Sequence, residues 1–267
     1  MGAAMTVLVK ILLTPALIAA VTLLARRWGP AIGGTIAGLP LTSAPVSVFL
    51  LVEQGPVFAV AAAEGTLLGL LSQGALCLAY AWAARRMRWP ASAAAGAAAF
   101  VAATLLLRPI ALGVWPAFAL VSVILLATAA GIRPSAPARD AWRPPREDLA
   151  FRMLAGTAMV VVLTALAPRL GPTWTGLLSP FPVFALVLGV FTHRSEGPGA
   201  AARLLRGVVL GSLAHATLFA LIASLLVPYG PVRAYLWASL GALGVNALAL
   251  MLARPVAARS RAAALPG

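Results

Sequence analysis

The strongest constraint on this chain is length without charge. Ile11 to Ala25, Ala91 to Leu107 and Pro109 to Ile132 hold no charged residue, and Gly207 to Pro228 is interrupted only by His215. Each run is near or above the ~18 residues that read as a bilayer-spanning helix. Of the 267 residues, 62% are apolar and 10% charged, against roughly 25% charged in a soluble domain. Hydrocarbon offers peptide groups no hydrogen bonds, so a chain that meets lipid must satisfy its own backbone within helices or a closed barrel. Uninterrupted apolar runs of this length fit helices. The expected class is an all-α polytopic membrane protein with the lipid bilayer as its main partner.

Nine spans are expected, at about 4–25, 30–52, 57–82, 90–107, 110–131, 149–167, 172–193, 203–227 and 232–253. The first is expected to be retained, since no basic segment precedes it as in a signal peptide. Arg133 to Asp148, with four prolines and seven charges, reads as a linker. The expected organisation is a four-helix unit over 1–108, a linking helix and Pro/Arg-rich linker over 109–148, a second four-helix unit over 149–257, and a tail over 258–267.

The basic residues fix an orientation. With nine spans, thirteen of them fall in the loops after spans 1, 3, 5 and 7 and at the C-terminus. Only Arg108, Arg169 and Arg233 fall on the opposite side. Positive loops stay in the cytoplasm, so the N-terminus is expected outside and the C-terminus inside. The net charge of +14 comes from short clusters between apolar runs, a topological pattern that gives no reason to expect nucleic acid as a partner. Nineteen Arg against one Lys, with abundant Ala, suggests a GC-rich bacterial genome and hence a bacterial inner membrane.

The chain repeats itself. Sliding residues 6–77 over 148–219 gives 20 identities without a gap, where composition alone would give roughly 8. Eight of them are Gly or Pro: Gly29, Pro30, Gly34, Pro40, Gly55, Pro56, Gly65 and Gly69 match Gly171, Pro172, Gly176, Pro182, Gly197, Pro198, Gly207 and Gly211. With one linking helix between the units, the second would enter the membrane from the other side. The expected fold is therefore two inverted four-helix repeats, an arrangement typical of secondary transporters.

Paired prolines mark the candidate site. Span 2 reads "AGLPLTSAPVS", with Pro40 and Pro45; span 7 reads "GLLSPFPVF", with Pro180 and Pro182. Proline removes a helix donor and clashes one turn back, so both helices should break or kink there. Thr42, Ser43 and Ser179 would add hydroxyls to the freed carbonyls, giving a substrate site or merely a structural kink. Gln73, matched by His215, either lines a path or bridges helices, and Asn246 reads the same way. Glu64 is the candidate for proton or ion coupling, because membrane-embedded carboxylates are costly and usually functional. Lys10 is expected to snorkel to the interface. Arg203 and Arg206 would form a basic inner vestibule or serve as topological charge.

Enzyme signatures are scarce: there is no G-x-S-x-G, no H-E-x-x-H and no Walker A motif. No enzyme activity, metal or other cofactor is expected. Cys77 is the sole cysteine, so no intramolecular disulfide can form.

The stretch "SPFPVFAL", Ser179 to Leu186, resembles the second span of the GlpM-like family of small inner-membrane proteins. The likeness covers about 150–230 and is faint in the first half, where "GLPLTSAPVS" stands at the same place. It implies a fused pair of such units and an envelope-linked role in exopolysaccharide production, with an envelope-biosynthesis protein as partner. The architecture is also similar to small multidrug resistance and drug/metabolite transporters. The expected function is a secondary transporter or flippase-like permease for a small solute, with anionic and lipid-linked ones as candidates. The alternative is a non-transporting accessory subunit of envelope polysaccharide synthesis.

Overall fold

The computed structural model describes residues 43–133 and 148–262, with Leu12, Pro15, Ala16, Ala19, Thr35, Leu39 and Pro40 as isolated positions before them. Lys10, Thr42, nearly all of the first expected span and residues 134–147 of the linker lie outside the described residues. The described elements are all helices: α1 (Ser43–Gln54), α2 (Pro56–Ala83), α3 (Trp89–Leu107), α4 (Val114–Gly131), α5 (Asp148–Leu178), α6 (Val183–Glu196) and α7 (Pro198–Ala262).

A dipeptide punctuates them. Gly55, Gly171, Gly197 and Gly230 have φ of 85, 75, 89 and 74°, with ψ of 173, 170, 177 and 169°. Each stands immediately before a proline. Positive φ with extended ψ is a region that essentially only glycine enters, and extended ψ is what a following proline demands. Proline then opens the next helix, where its missing N–H costs nothing. One residue thus ends one helix and the next begins at once. α5 and α7 each contain two helices, parting at Gly171 and Gly230.

The joined helices fold back on each other. A Cβ at Gly189, eight residues before Gly197, would lie 3.5 Å from the side chain of Leu205, eight residues after it. Gly241, eleven residues past Gly230, faces Leu221 and Thr217, nine and thirteen residues before it. In both hairpins the register is reflected about the glycine.

α2 lies at the centre, packed against α1, α3, α4, α5 and α7, while α7 also packs against α4 and α6. Among the described residues, four helices are long and apolar enough to cross a membrane: α2, α3, α4 and the Pro198–Ala249 part of α7. Their apolar windows are 72% buried in α2 and 67% in α7, but 22% in α3 and α4. The first two therefore form the core and the last two an outer wall. That wall presents Val101, Leu105, Leu106, Val123 and Leu126, the side chains expected to meet lipid.

Polar contacts sort the helix ends. At one end Tyr80 Oη lies 3.3 Å from His193 Nδ1, Trp82 Nε1 donates to the Gly131 carbonyl at 3.3 Å, and Arg85 donates to the Arg133 carbonyl at 3.4 Å. At the other, the Arg108 guanidinium sits 5.1 Å over the Trp174 ring, and Ser47 Oγ and Tyr235 Oη share a 2.6 Å hydrogen bond.

Several boundaries differ from expectation. The α3–α4 connection is residues 108–113 rather than Arg108-Pro109 alone, because α4 restarts only after the extended Gly113, with Pro116 in its first turn. α7 begins at Pro198, five residues earlier than expected, because the Gly197-Pro198 joint leaves no loop.

Candidate functional site: two helix breaks that cross

The sequence places two pairs of prolines in mid-span, and the chain breaks beside both. α5 ends at Leu178 and α6 begins at Val183, leaving Ser179 to Pro182 non-helical. In the first half Leu39 and Pro40 are non-helical and α1 begins at Ser43. Pro45 plays another part than expected. It lies in the first turn of α1, where a missing N–H breaks no bond, so the non-helical backbone described here is that of Leu39 and Pro40.

Both breaks restart their helices alike. Leu186 N donates to the Pro182 carbonyl at 2.8 Å, and Ala44 N to the Pro40 carbonyl at 2.9 Å. Ala201 N and Ala59 N likewise bond to the carbonyls of Gly197 and Gly55 at 3.3 and 3.1 Å. Gly197 N and Gly55 N bond to the carbonyls of His193 and Leu51, both at 3.1 Å. Every pair keeps the register of the sequence repeat, donor matched to donor and acceptor to acceptor.

The breaks touch. Ser43 Oγ donates to the Ser179 carbonyl at 2.9 Å, across 136 residues. Both serines are buried, as are Pro40, Pro180 and Pro182. Inside the second break Phe181 N turns back to Leu178 O at 3.0 Å, and the Phe181 ring meets Phe100 edge-on at 4.9 Å.

Glycine lets the central helix approach this break. A Cβ at Gly69 would lie 2.7 Å from the Leu177 carbonyl and 2.8 Å from Pro180 Cγ. One at Gly65 would lie 2.9 Å from the Thr173 carbonyl, and one at Gly176 would run into the Ala62 carbonyl. Small residues four apart permit this kind of backbone contact between membrane helices. Gly65, Gly69 and Gly176 stand out in the sequence as marks of the repeat; the G-x-x-x-G spacing of Gly65 and Gly69 is the signal for a crossing.

The other expected site residues fall elsewhere. Gln73 is buried on α2 and donates through Nε2 to Ser212 Oγ on α7 at 2.9 Å; Ser212 donates on to the Val208 carbonyl at 2.9 Å. His215 is buried one turn further along α7, its ring 5.2 Å from Phe219. Both therefore lie where α2 and α7 pack, while the serine contact joins the breaks. Glu64 is half-buried on α2, next to Gly65. Arg206 is exposed and donates through Nε to the Ala129 carbonyl at 3.1 Å, satisfying one of the orphan acceptors at the end of α4. Arg203 is half-buried, and its charge acts on Glu196. Both arginines belong to the end that holds Tyr80 and His193. Sequence reading missed Ser72 and Thr104, whose hydroxyls bond at 3.0 Å between α2 and α3, because nothing marks a membrane hydroxyl until its partner helix is known.

Among the described residues no three His, Cys, Asp or Glu side chains gather in a way that could hold a metal ion. No family model, curated protein or solved structure matches the chain.

Proposed function

We propose that the chain is a secondary transporter or flippase-like permease that moves a small polar solute past the crossing of its two broken helices. The observation that carries this reading is the Ser43–Ser179 hydrogen bond, which joins the two mid-span breaks. Irregular backbone at membrane depth is tolerated where protein buries it or where it lines a cavity, and crossed broken helices are the usual substrate site of secondary transporters. The same local hydrogen-bond geometry at matching positions of the repeat supports two copies of one unit. The sorted helix ends support an inverted relation. α2 runs toward the Tyr80–His193 end, whereas the 198–229 part of α7 starts there. Repeat-mates that cross antiparallel at the centre are what a two-fold axis in the membrane plane requires. Glu64 would couple transport to a proton or cation.

A specific feature favours a second reading. The crossing is closed, with Ser43 and Ser179 only 1% and 2% exposed. A non-transporting accessory subunit of envelope polysaccharide synthesis would be dry at this interface too.

Flux decides between them. The protein carrying Ser43→Cys and Ser179→Cys, with Cys77→Ser to remove the native thiol, is reconstituted into liposomes. Movement of fluorescent lipid and of a panel of labelled sugars and organic anions is then followed. The permease reading expects flux that stops when a short bis-methanethiosulfonate bridges the two thiols and returns on reduction, and that changes with Glu64→Gln. Absence of flux from the wild type and from all variants, together with a stable complex with polysaccharide-synthesis proteins, sinks it in favour of the accessory reading.

A further inference from the structure

Asn246 is 8% exposed in the second half of α7, and its side-chain oxygen is buried with no hydrogen-bond partner. It continues a buried row at helical spacing, Ala234, Ala238 and Ala242. An amide carbonyl withdrawn from water costs a few kcal/mol unless a donor meets it. The reflected register of the hairpin identifies what stands opposite. Asn246 is sixteen residues past Gly230, and Ala214 is sixteen before it. Ala214 is buried and offers no side-chain donor.

The first half shows the same place filled. Carried on in one register, the repeat sets Arg88 against Gly230, Ser72 against Ala214 and Thr104 against Asn246. In the first half the two hydroxyls bond at 3.0 Å. There Thr104 donates to Ser72. The second half has a larger amide in place of the donor and alanine in place of the acceptor. The partner on the facing helix is gone while a buried polar group remains, at the level of Ser212 and His215, near the middle of the bundle. A helix-bridging role would have kept a polar partner on the facing helix.

We infer that Asn246 is a ligand-facing group: beside Ala214 its carbonyl takes an N–H or O–H donor from a solute that is neutral or positively charged at that point. A carbonyl oxygen repels anions, and the described arginine contacts lie at the helix ends: Arg85 with Arg133, Arg206 with Ala129 and Arg108 with Trp174. The inference rests on the permease reading and adds a second station, distinct from the serine contact, with a preference for donors.

The test uses the full chain in detergent and in liposomes. Asn246→Leu removes the unpartnered group and is expected to raise Tm by about 2–4 °C. Ala214→Ser supplies the missing donor and is expected to raise Tm similarly, but not when combined with Asn246→Leu. In a Cys77→Ser background, a thiol from Asn246→Cys is expected to react with aminoethyl methanethiosulfonate about 10-fold faster than with the sulfonatoethyl reagent. That ratio is taken relative to the one at the exposed position Ala111→Cys. A lowered Tm for Asn246→Leu, or no gain from Ala214→Ser, shows a structural amide and overturns the inference. A thiol that stays unreactive at 246 while one from Ser179→Cys reacts overturns it too, and leaves the permease reading standing. Silence at both positions overturns both.

Discussion

Removing the Ser43 hydroxyl leaves the buried Ser179 carbonyl without that donor. Ser43→Ala is expected to cost about 1–2 kcal/mol, read as a lower midpoint in a detergent melt. Ser43→Thr keeps the donor and should lie nearer the wild type. Glycines make a sharper pair. A side chain at Gly176 meets the backbone of Ala62 and Gly65, neither of which can move aside, so Gly176→Val is expected to lose several kcal/mol or fail to fold. Gly244 has nothing within 4 Å of a Cβ, and Gly244→Ala should gain up to about 1 kcal/mol from helix propensity. If the two variants melt alike, the close crossing of α2 with the end of α5 is wrong. Both serines were legible in the sequence because prolines stand beside them. Their pairing was not: the choice by the Ser43 hydroxyl of the Ser179 carbonyl in the other half of the chain is made by packing, which leaves no local pattern.

At the level of elements, the Gly-Pro joint carries a backbone cost that can be measured free of sterics. A Cβ at Gly55, Gly171, Gly197 or Gly230 would touch nothing within 4 Å. Gly197→Ala and Gly55→Ala are therefore expected to destabilise by about 1–3 kcal/mol each through φ alone. Gly197→Val should add little beyond Gly197→Ala. A large gap between those two would mean that side-chain crowding, not backbone strain, sets the cost. The joint was readable as repeated punctuation, and so was its recurrence in the second half. Its economy was not. Spans drawn by hydropathy alone leave room for a loop after Glu196, yet α7 starts two residues later. The expectation for Pro45 failed for a related reason: a proline in the first turn starts a helix as readily as one in mid-helix ends it, and the sequence does not say where the turn lies.

Over the whole molecule, the sides of the membrane give the most direct test. In a Cys77→Ser background, thiols introduced by Arg86→Cys and Arg194→Cys are expected to react with an impermeant maleimide only from the cytoplasmic face. Those from Ala111→Cys and Arg233→Cys should react only from the opposite face. Arg86→Cys and Ala111→Cys labelled from one face would remove the inverted threading, and alternating access with it. The charge bias is what predicts this orientation, and the contacts of Tyr80 with His193 and of Arg108 with Trp174 sort the helix ends into the two groups that the test compares. Which helices form the core was harder to read. α2, α3 and α4 are all long and apolar enough to span, so hydropathy does not separate them. Small residues do not separate them either, since α3 is richer in Ala, Gly and Ser than α2; it is the contacts of Gly65 and Gly69 that mark α2 as the buried one.

A joint of one residue also couples the helices it ties. Two helices tied by a single glycine have no slack, so displacing one pulls on the other. α6 and the first half of α7 are therefore expected to open as one unit in hydrogen exchange.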